Sequence, residues 1–114
     1  MAIKARFNTG EKSITLNALY QWDYGHKLEI EADDISDSVV EVHFSYSVLK
    51  DAIVNSCSIS GGKGIVPIPN RCFEQSETIT AWVYEIEKTN GVITKCTTTK
   101  TIIIPVIARL RPAY

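Results

Sequence analysis

Ile79-Thr80-Ala81-Trp82-Val83-Tyr84-Glu85-Ile86 and Val92-Ile93-Thr94-Lys95-Cys96-Thr97-Thr98-Thr99 are two runs rich in β-branched and aromatic residues, with Lys88-Thr89-Asn90-Gly91 between them. Asn-Gly accepts the positive φ angles of a type I′ turn, whose twist matches that of the flanking strands, so the stretch reads as a β-hairpin. The second run continues into Ile102-Ile103-Ile104-Pro105-Val106-Ile107. A continuous apolar stretch of this kind needs cover on both faces or a place against another subunit. Within the first run, Ile79, Ala81 and Val83 already supply an inward face, which leaves Trp82 and Tyr84 to point the other way.

Working outward from the hairpin, the rest of the chain repeats the same grammar. Val40, Val42, Phe44 and Tyr46 alternate with Glu41, His43 and Ser45, the pattern of an amphipathic strand whose apolar side belongs to the core. Leu28, Ile30 and Ala32 oppose Glu29, Glu31 and Asp33, and Ile3, Ala5 and Phe7 oppose Lys4, Arg6 and Asn8. Ile14-Thr15-Leu16 begins a further short strand, and Asp23 to His26 around Gly25 reads as a loop or bulge. Gly61-Gly62-Lys63-Gly64 is a tight connection into Ile65-Val66-Pro67-Ile68-Pro69, which the prolines keep extended. Asn70 to Gln75 is one helical turn or a long corner. From Val48 to Ser60 the pattern is less decided: Leu49, Ala52 and Ile53 have helical spacing, but β-branched residues and Cys57-Ser58-Ile59-Ser60 favour a strand after a short turn. Together these signals predict an all-β fold, an antiparallel immunoglobulin-like β-sandwich of about seven to nine strands without a disulfide.

The 114 residues fit one domain, long enough to bury roughly two-thirds of the surface of the unfolded chain. With 45% hydrophobic and 22% charged residues the composition is that of an ordinary globular protein, and a net charge of −1 gives no electrostatic reason to expect nucleic acid. Cys57, Cys72 and Cys96 are odd in number and form no C-x-x-C pair, so they are read as reduced thiols in a protein made inside the cell. The Cys57, Trp82, Cys96 order echoes an immunoglobulin framework only superficially, because Trp82 follows Cys57 at too great a distance. No signal peptide and no run of roughly twenty apolar residues is present, so neither secretion by the standard route nor membrane insertion is expected.

Residue chemistry points to no catalytic site. Gly61-Gly62-Lys63-Gly64 lacks the four-residue glycine spacing, the Ser or Thr after lysine and the helix that a phosphate loop needs, and so reads as a turn. Asp33, Asp34 and Asp37 could offer hard oxygens to calcium but match no EF-hand spacing, and a solvated loop is the better reading. His26 and His43 lack the further converging ligands that zinc demands and are read as structural. No G-x-S-x-G elbow or paired base activates a nucleophile. The chain is therefore read as non-enzymatic, without cofactor or metal. Of Tyr20, Trp22, Tyr24, Trp82 and Tyr84, most are read as filling the core, Trp82 and Tyr84 being the candidates for an exposed face that anchors a partner or stacks on sugar rings.

Several stretches, taken together, carry a resemblance. Tyr20-Gln21-Trp22-Asp23-Tyr24-Gly25-His26-Lys27-Leu28 is similar to a W-D-x-G-x-x-L segment near the start of many prophage-encoded structural proteins of Gram-positive bacteria. Glu41-Val42-His43-Phe44-Ser45 and Val66-Pro67-Ile68-Pro69-Asn70 follow in the same order, ahead of the aromatic strand Ala81-Trp82-Val83-Tyr84. The ending Thr101-Ile102-Ile103-Ile104-Pro105-Val106-Ile107-Ala108-Arg109-Leu110-Arg111-Pro112-Ala113-Tyr114 resembles the I-P-V-I-x-R-x-K/R-P-x-D-Y close of the same domain. The chain thus resembles the N-terminal domain of upper baseplate or minor tail structural proteins of tailed phages.

That resemblance implies a docking domain at residues 1–108 and an exit linker at 109–114 toward a stalk and receptor-binding region. It further implies a location in the virion after synthesis in the bacterial cytoplasm, other tail or baseplate proteins as partners, and homo-oligomers in the assembled particle. Nucleic acid and membrane are not among the expected partners. Trp22, Asp23, Trp82 and Tyr84 are the interface candidates. Trp22 and Asp23 have a plainer alternative role, which is to fix the loop at Gly25. The competing function is a carbohydrate-binding module that reads the host cell-wall polysaccharide.

Overall fold

Residues 2–46 and 52–113 are described by the computed structural model, and they build ten strands and no α-helix. In chain order these are β1 (Ala2–Arg6), β2 (Ser13–Thr15), β3 (Leu19–Tyr20), β4 (Lys27–Glu31), β5 (Ser38–Ser45), β6 (Ile53–Ile59), β7 (Lys63–Pro67), β8 (Ile79–Thr89), β9 (Val92–Ile104) and β10 (Val106–Ile107). A 3-10 turn at Asn70–Phe73 occupies the expected corner. The undecided Val48 to Ser60 stretch resolves in its second half as β6. Residues 47–51 lie outside the described residues.

The hairpin forms where Asn-Gly dictates. Thr89 pairs with Val92, and Asn90 (φ 53°) and Gly91 (φ 77°) take the left-handed angles of a two-residue turn. Its ladder slips twice, between Val83 and Tyr84 and between Glu87 and Lys88. Each slip leaves one extra residue on β9, Thr99 or Thr94, and each of those hydroxyls donates to the carbonyl across the ladder, at Val83 (3.2 Å) and Glu87 (3.3 Å). Threonine thus satisfies the acceptor that a bulge exposes. A second tight turn at Gly61 (φ 60°) and Gly62 (φ 75°) joins β6 to β7. A Cβ on Gly62 would lie 2.4 Å from the Ala32 carbonyl oxygen, so both conformation and space require glycine there.

β2-β9-β8-β5-β6 form a five-stranded sheet, β1-β4-β7 a three-stranded one, and β3 pairs with β10. Ala5, Leu28, Ile30 and Val66 from the smaller sheet meet Val40, Val42, Phe44, Ile79, Ala81, Val83, Ile102 and Ile104 from the larger in one core cluster. The alternation read in β4, β5 and β8 is therefore the alternation that packs. Pairing differs from a purely antiparallel expectation: β1 with β4, β2 with β9, and β3 with β10 are parallel. The reason is that the N-terminal segments return alongside strands distant in sequence, so no hairpin constrains their direction. The apolar run at the C-terminus splits its exposure, with Ile102 and Ile104 buried, Ile103 and Val106 half-buried and Ile107 exposed.

Candidate functional site

The four residues singled out in the sequence fall in two places. Trp22 and Asp23 sit in the loop between β3 and β4, beside the C-terminal segment; Trp82 and Tyr84 sit on the outer face of the five-stranded sheet.

The loop is held tightly enough to put a bulky residue in an unfavourable conformation. Trp22 has φ 71°, and its backbone N–H donates to the Phe73 carbonyl at 2.7 Å. A left-handed tryptophan costs on the order of 1–3 kcal/mol and persists only where its surroundings determine it. Gly25 (φ 83°) completes the reversal, and its N–H donates to the Asn70 side chain at 3.0 Å. The strained loop presents three side chains to the C-terminal segment. Gln21 accepts from the Arg109 N–H at 3.4 Å and donates to the Glu74 carbonyl at 3.2 Å. Asp23 meets the Arg109 guanidinium at 3.3 Å, and the Arg111 guanidinium lies 4.9 Å above the centre of the Trp22 ring. Trp22, Tyr24, Arg111 and Pro112 line a hollow of about 210 Å³ between loop and tail.

Beneath this loop lies His26, 6% exposed, tilted against the Phe73 ring at 4.9 Å. Neither ring nitrogen has a hydrogen-bond partner. Burial holds its pKa below the ordinary value, and the nearby Asp23 carboxylate only partly offsets this. His26 is thus kept neutral as a packing element.

On the outer sheet face, cross-strand register lines up Val54, His43, Trp82 and Thr101 in one row, and Ser56, Glu41, Tyr84 and Thr98 in the next. Ile79, Ala81 and Val83 are fully buried, so Trp82 and Tyr84 are free to cover this face, and both are half-buried there. His43 stands edge-on to the Tyr84 ring at 5.0 Å and reaches Glu41 at 3.0 Å. The Tyr84 hydroxyl donates to the Cys96 thiol at 3.1 Å, which raises the phenol pKa.

The remaining candidates are scaffolding. Asp33 accepts from the Thr9 hydroxyl, Asp34 from the Gly10 N–H and the Lys100 ammonium, and Asp37 from the Gly61 N–H, so the acidic run is divided among separate partners. The hydrogen bond from Lys100 is the chief cause of a lowered Asp34 pKa. Among the described residues no three of His, Cys, Asp and Glu are grouped to hold a metal. Cys57, Cys72 and Cys96 are free thiols, the first two buried, and burial pushes Cys72 up to about 11.

Sequence reasoning overlooked Gln21, Lys100 and the attachment of Arg109 and Arg111, and its assignment of Tyr20 and Tyr24 to the core is corrected: they flank the Trp22 loop and are 52% and 49% exposed. Lys100 is 2% exposed and sends its ammonium to Asp34 and the Glu11 carbonyl, with the Phe7 ring 5.0 Å away. Its place in a run of threonines disguised it. The chain matches no family profile and no curated protein.

Proposed function

We propose that this chain is an assembly module, the N-terminal docking domain of a tailed-phage upper baseplate or minor tail protein. It attaches a receptor-binding apparatus to the tail by protein–protein contact, as part of an oligomeric particle. The observation that carries this reading is the meeting of Trp22-Asp23 with Arg109 and Arg111. Two of the stretches that bear the resemblance, more than eighty residues apart in sequence, join in space to fix the direction in which the C-terminal segment departs. A domain that must present a following stalk needs such an anchor, and the Trp82–Tyr84 face, over which no strand lies among the described residues, serves for docking. The two sheets facing across one core are read here as an immunoglobulin-like sandwich with parallel terminal pairs.

Mass spectrometry of purified particles or tails induced from the source bacterium tests the proposal. Peptides spanning Tyr20 to Lys27 and Thr78 to Lys95, found in fixed proportion to tail proteins, support it. Their restriction to the cell lysate overturns it, and binding of the isolated domain to cell-wall polysaccharide, lost in Trp82→Ala, puts a carbohydrate-binding module in its place.

A further inference from the structure

We infer that the segments Lys12–Asp23 and Thr101–Arg111 form a tension-bearing joint, a parallel clamp that resists a pull applied to the two ends of the chain. This mechanical function does not depend on what the domain docks onto. It follows from direction, register and the placement of side chains.

The two segments run side by side in the same direction. Ser13, Ile14 and Thr15 pair with Thr101, Ile102 and Ile103, and beyond Pro105 the pairing resumes with Leu19 and Tyr20 against Val106 and Ile107. Backbone bonds continue through the junction: Thr101 N–H to Lys12 (2.8 Å), Leu16 N–H to Ile103 (2.8 Å), Leu19 N–H to Pro105 (2.9 Å) and Gln21 N–H to Ile107 (2.8 Å). Proline lacks a donor, yet its carbonyl is used, so the interruption costs the joint little.

Because the strands are parallel, the incoming end of the first segment and the outgoing end of the second lie at opposite ends of the pair. Pulling them apart slides one strand along the other and strains all these bonds together. An antiparallel hairpin such as β8–β9, pulled at its open end, would release its bonds one after another.

Side chains reinforce both ends. At the entrance the buried Lys100 ammonium grips the Glu11 carbonyl and Asp34. At the exit Gln21 binds the Arg109 backbone, Asp23 its guanidinium, and Trp22 the Arg111 cation. Between them Ile14, Leu16, Leu19 and Val106 pack on the core, so sliding also drags apolar groups out of it.

Single-molecule force spectroscopy of the full chain in a Cys96→Ser background tests the inference. One arrangement attaches handles at the two chain ends. The other attaches them at Tyr24→Cys and the C-terminus, which lie at the same end of the pair and so peel it open. The expected result is a several-fold higher unfolding force in the first arrangement. Equal or lower force overturns the clamp. Leu19→Pro, which deletes the donor to Pro105, is expected to lower the end-to-end force while leaving the peeling force nearly unchanged. If it lowers both alike, the joint is merely part of general stability. Since the two attachment geometries share one clamp sequence, the test survives a proline variant that fails to fold. Its failure would leave the mass-spectrometric test of the proposed function unaffected.

Discussion

Trp22 and Trp82 are both tryptophans on the surface of a β-rich domain, but the chain uses them oppositely. Trp22 is bent into a left-handed conformation and spends its ring on the chain's own Arg111, whereas Trp82 sits in regular strand geometry on a sheet face with no covering element among the described residues. The contrast teaches that an aromatic signature in sequence marks a demand for a partner without saying whether the partner is internal. Backbone strain alone does not decide the matter, because Tyr84, in relaxed strand geometry, also meets its own chain, with His43 edge-on to its ring and the Cys96 thiol at its hydroxyl.

The change with the largest expected effect attacks the support of the Trp22 loop. Phe73 is fully buried, its carbonyl receives the Trp22 N–H, and its ring backs His26. Phe73→Ala is expected to cost about 3–5 kcal/mol, read by chemical denaturation, and to loosen the exit segment as well. A loss no greater than that of a surface substitution would show that the loop does not depend on this platform.

Trp82→Ala and Tyr84→Ala probe the other side of the comparison. Neither ring contributes to the inner face, so each is expected to cost about 1 kcal/mol while weakening assembly into particles. Unfolding in either variant would make these residues core after all and erase the distinction.

A pH experiment distinguishes the regions by chemistry. His26 has a folded-state pKa below its ordinary value near 6.5 because burial penalises the imidazolium. The unfolded chain therefore binds the proton more readily. The stability that His26 contributes is fully present above pH 6.5 and is lost as pH falls below it toward the folded-state value. Thermal midpoints should drop between pH 7.5 and pH 5, and His26→Phe should flatten that limb while leaving the sheet face unaffected. An unchanged slope in His26→Phe would show that another group carries it.

Much of the fold was legible because its signals are local. Asn90-Gly91 declares a turn, and the alternation of Val40, Val42 and Phe44 declares a buried face, each within a few residues. Parallel pairing was not legible, since β2 and β3 are two or three residues long and find their partners 87 or 88 positions away, a relation that leaves no periodicity. The outward turn of Trp82 and Tyr84 followed from counting the inward residues around them. The engagement of Arg109 with Asp23 did not follow from anything near Arg109, where a short basic tail with a proline reads equally well as free linker. Lys100 was hidden for a different reason: it shares the inward face of Ile102 and Ile104 by plain alternation, but its charge and its place at the end of a run of threonines mark it as a surface residue.

The smallest effect concerns what holds the tail against the Trp22 loop. The Asp23–Arg109 pair is the most conspicuous contact there, yet its side chains are 41% and 44% exposed, so water and salt screen it. Such pairs contribute roughly 0.2–1 kcal/mol. The backbone bonds of Leu19 and Gln21 lie along the same seam and need no side-chain ordering, so they should dominate. A double-mutant cycle with Asp23→Ala and Arg109→Ala should return a coupling at the low end of that range, and amide exchange at Gln21 should slow little when the pair is restored. A coupling well above it, together with rapid exchange at Gln21 in either single variant, would mean that the ion pair rather than the parallel ladder anchors the exit, and the loop and the open sheet face would then differ only in which charge happened to be nearby.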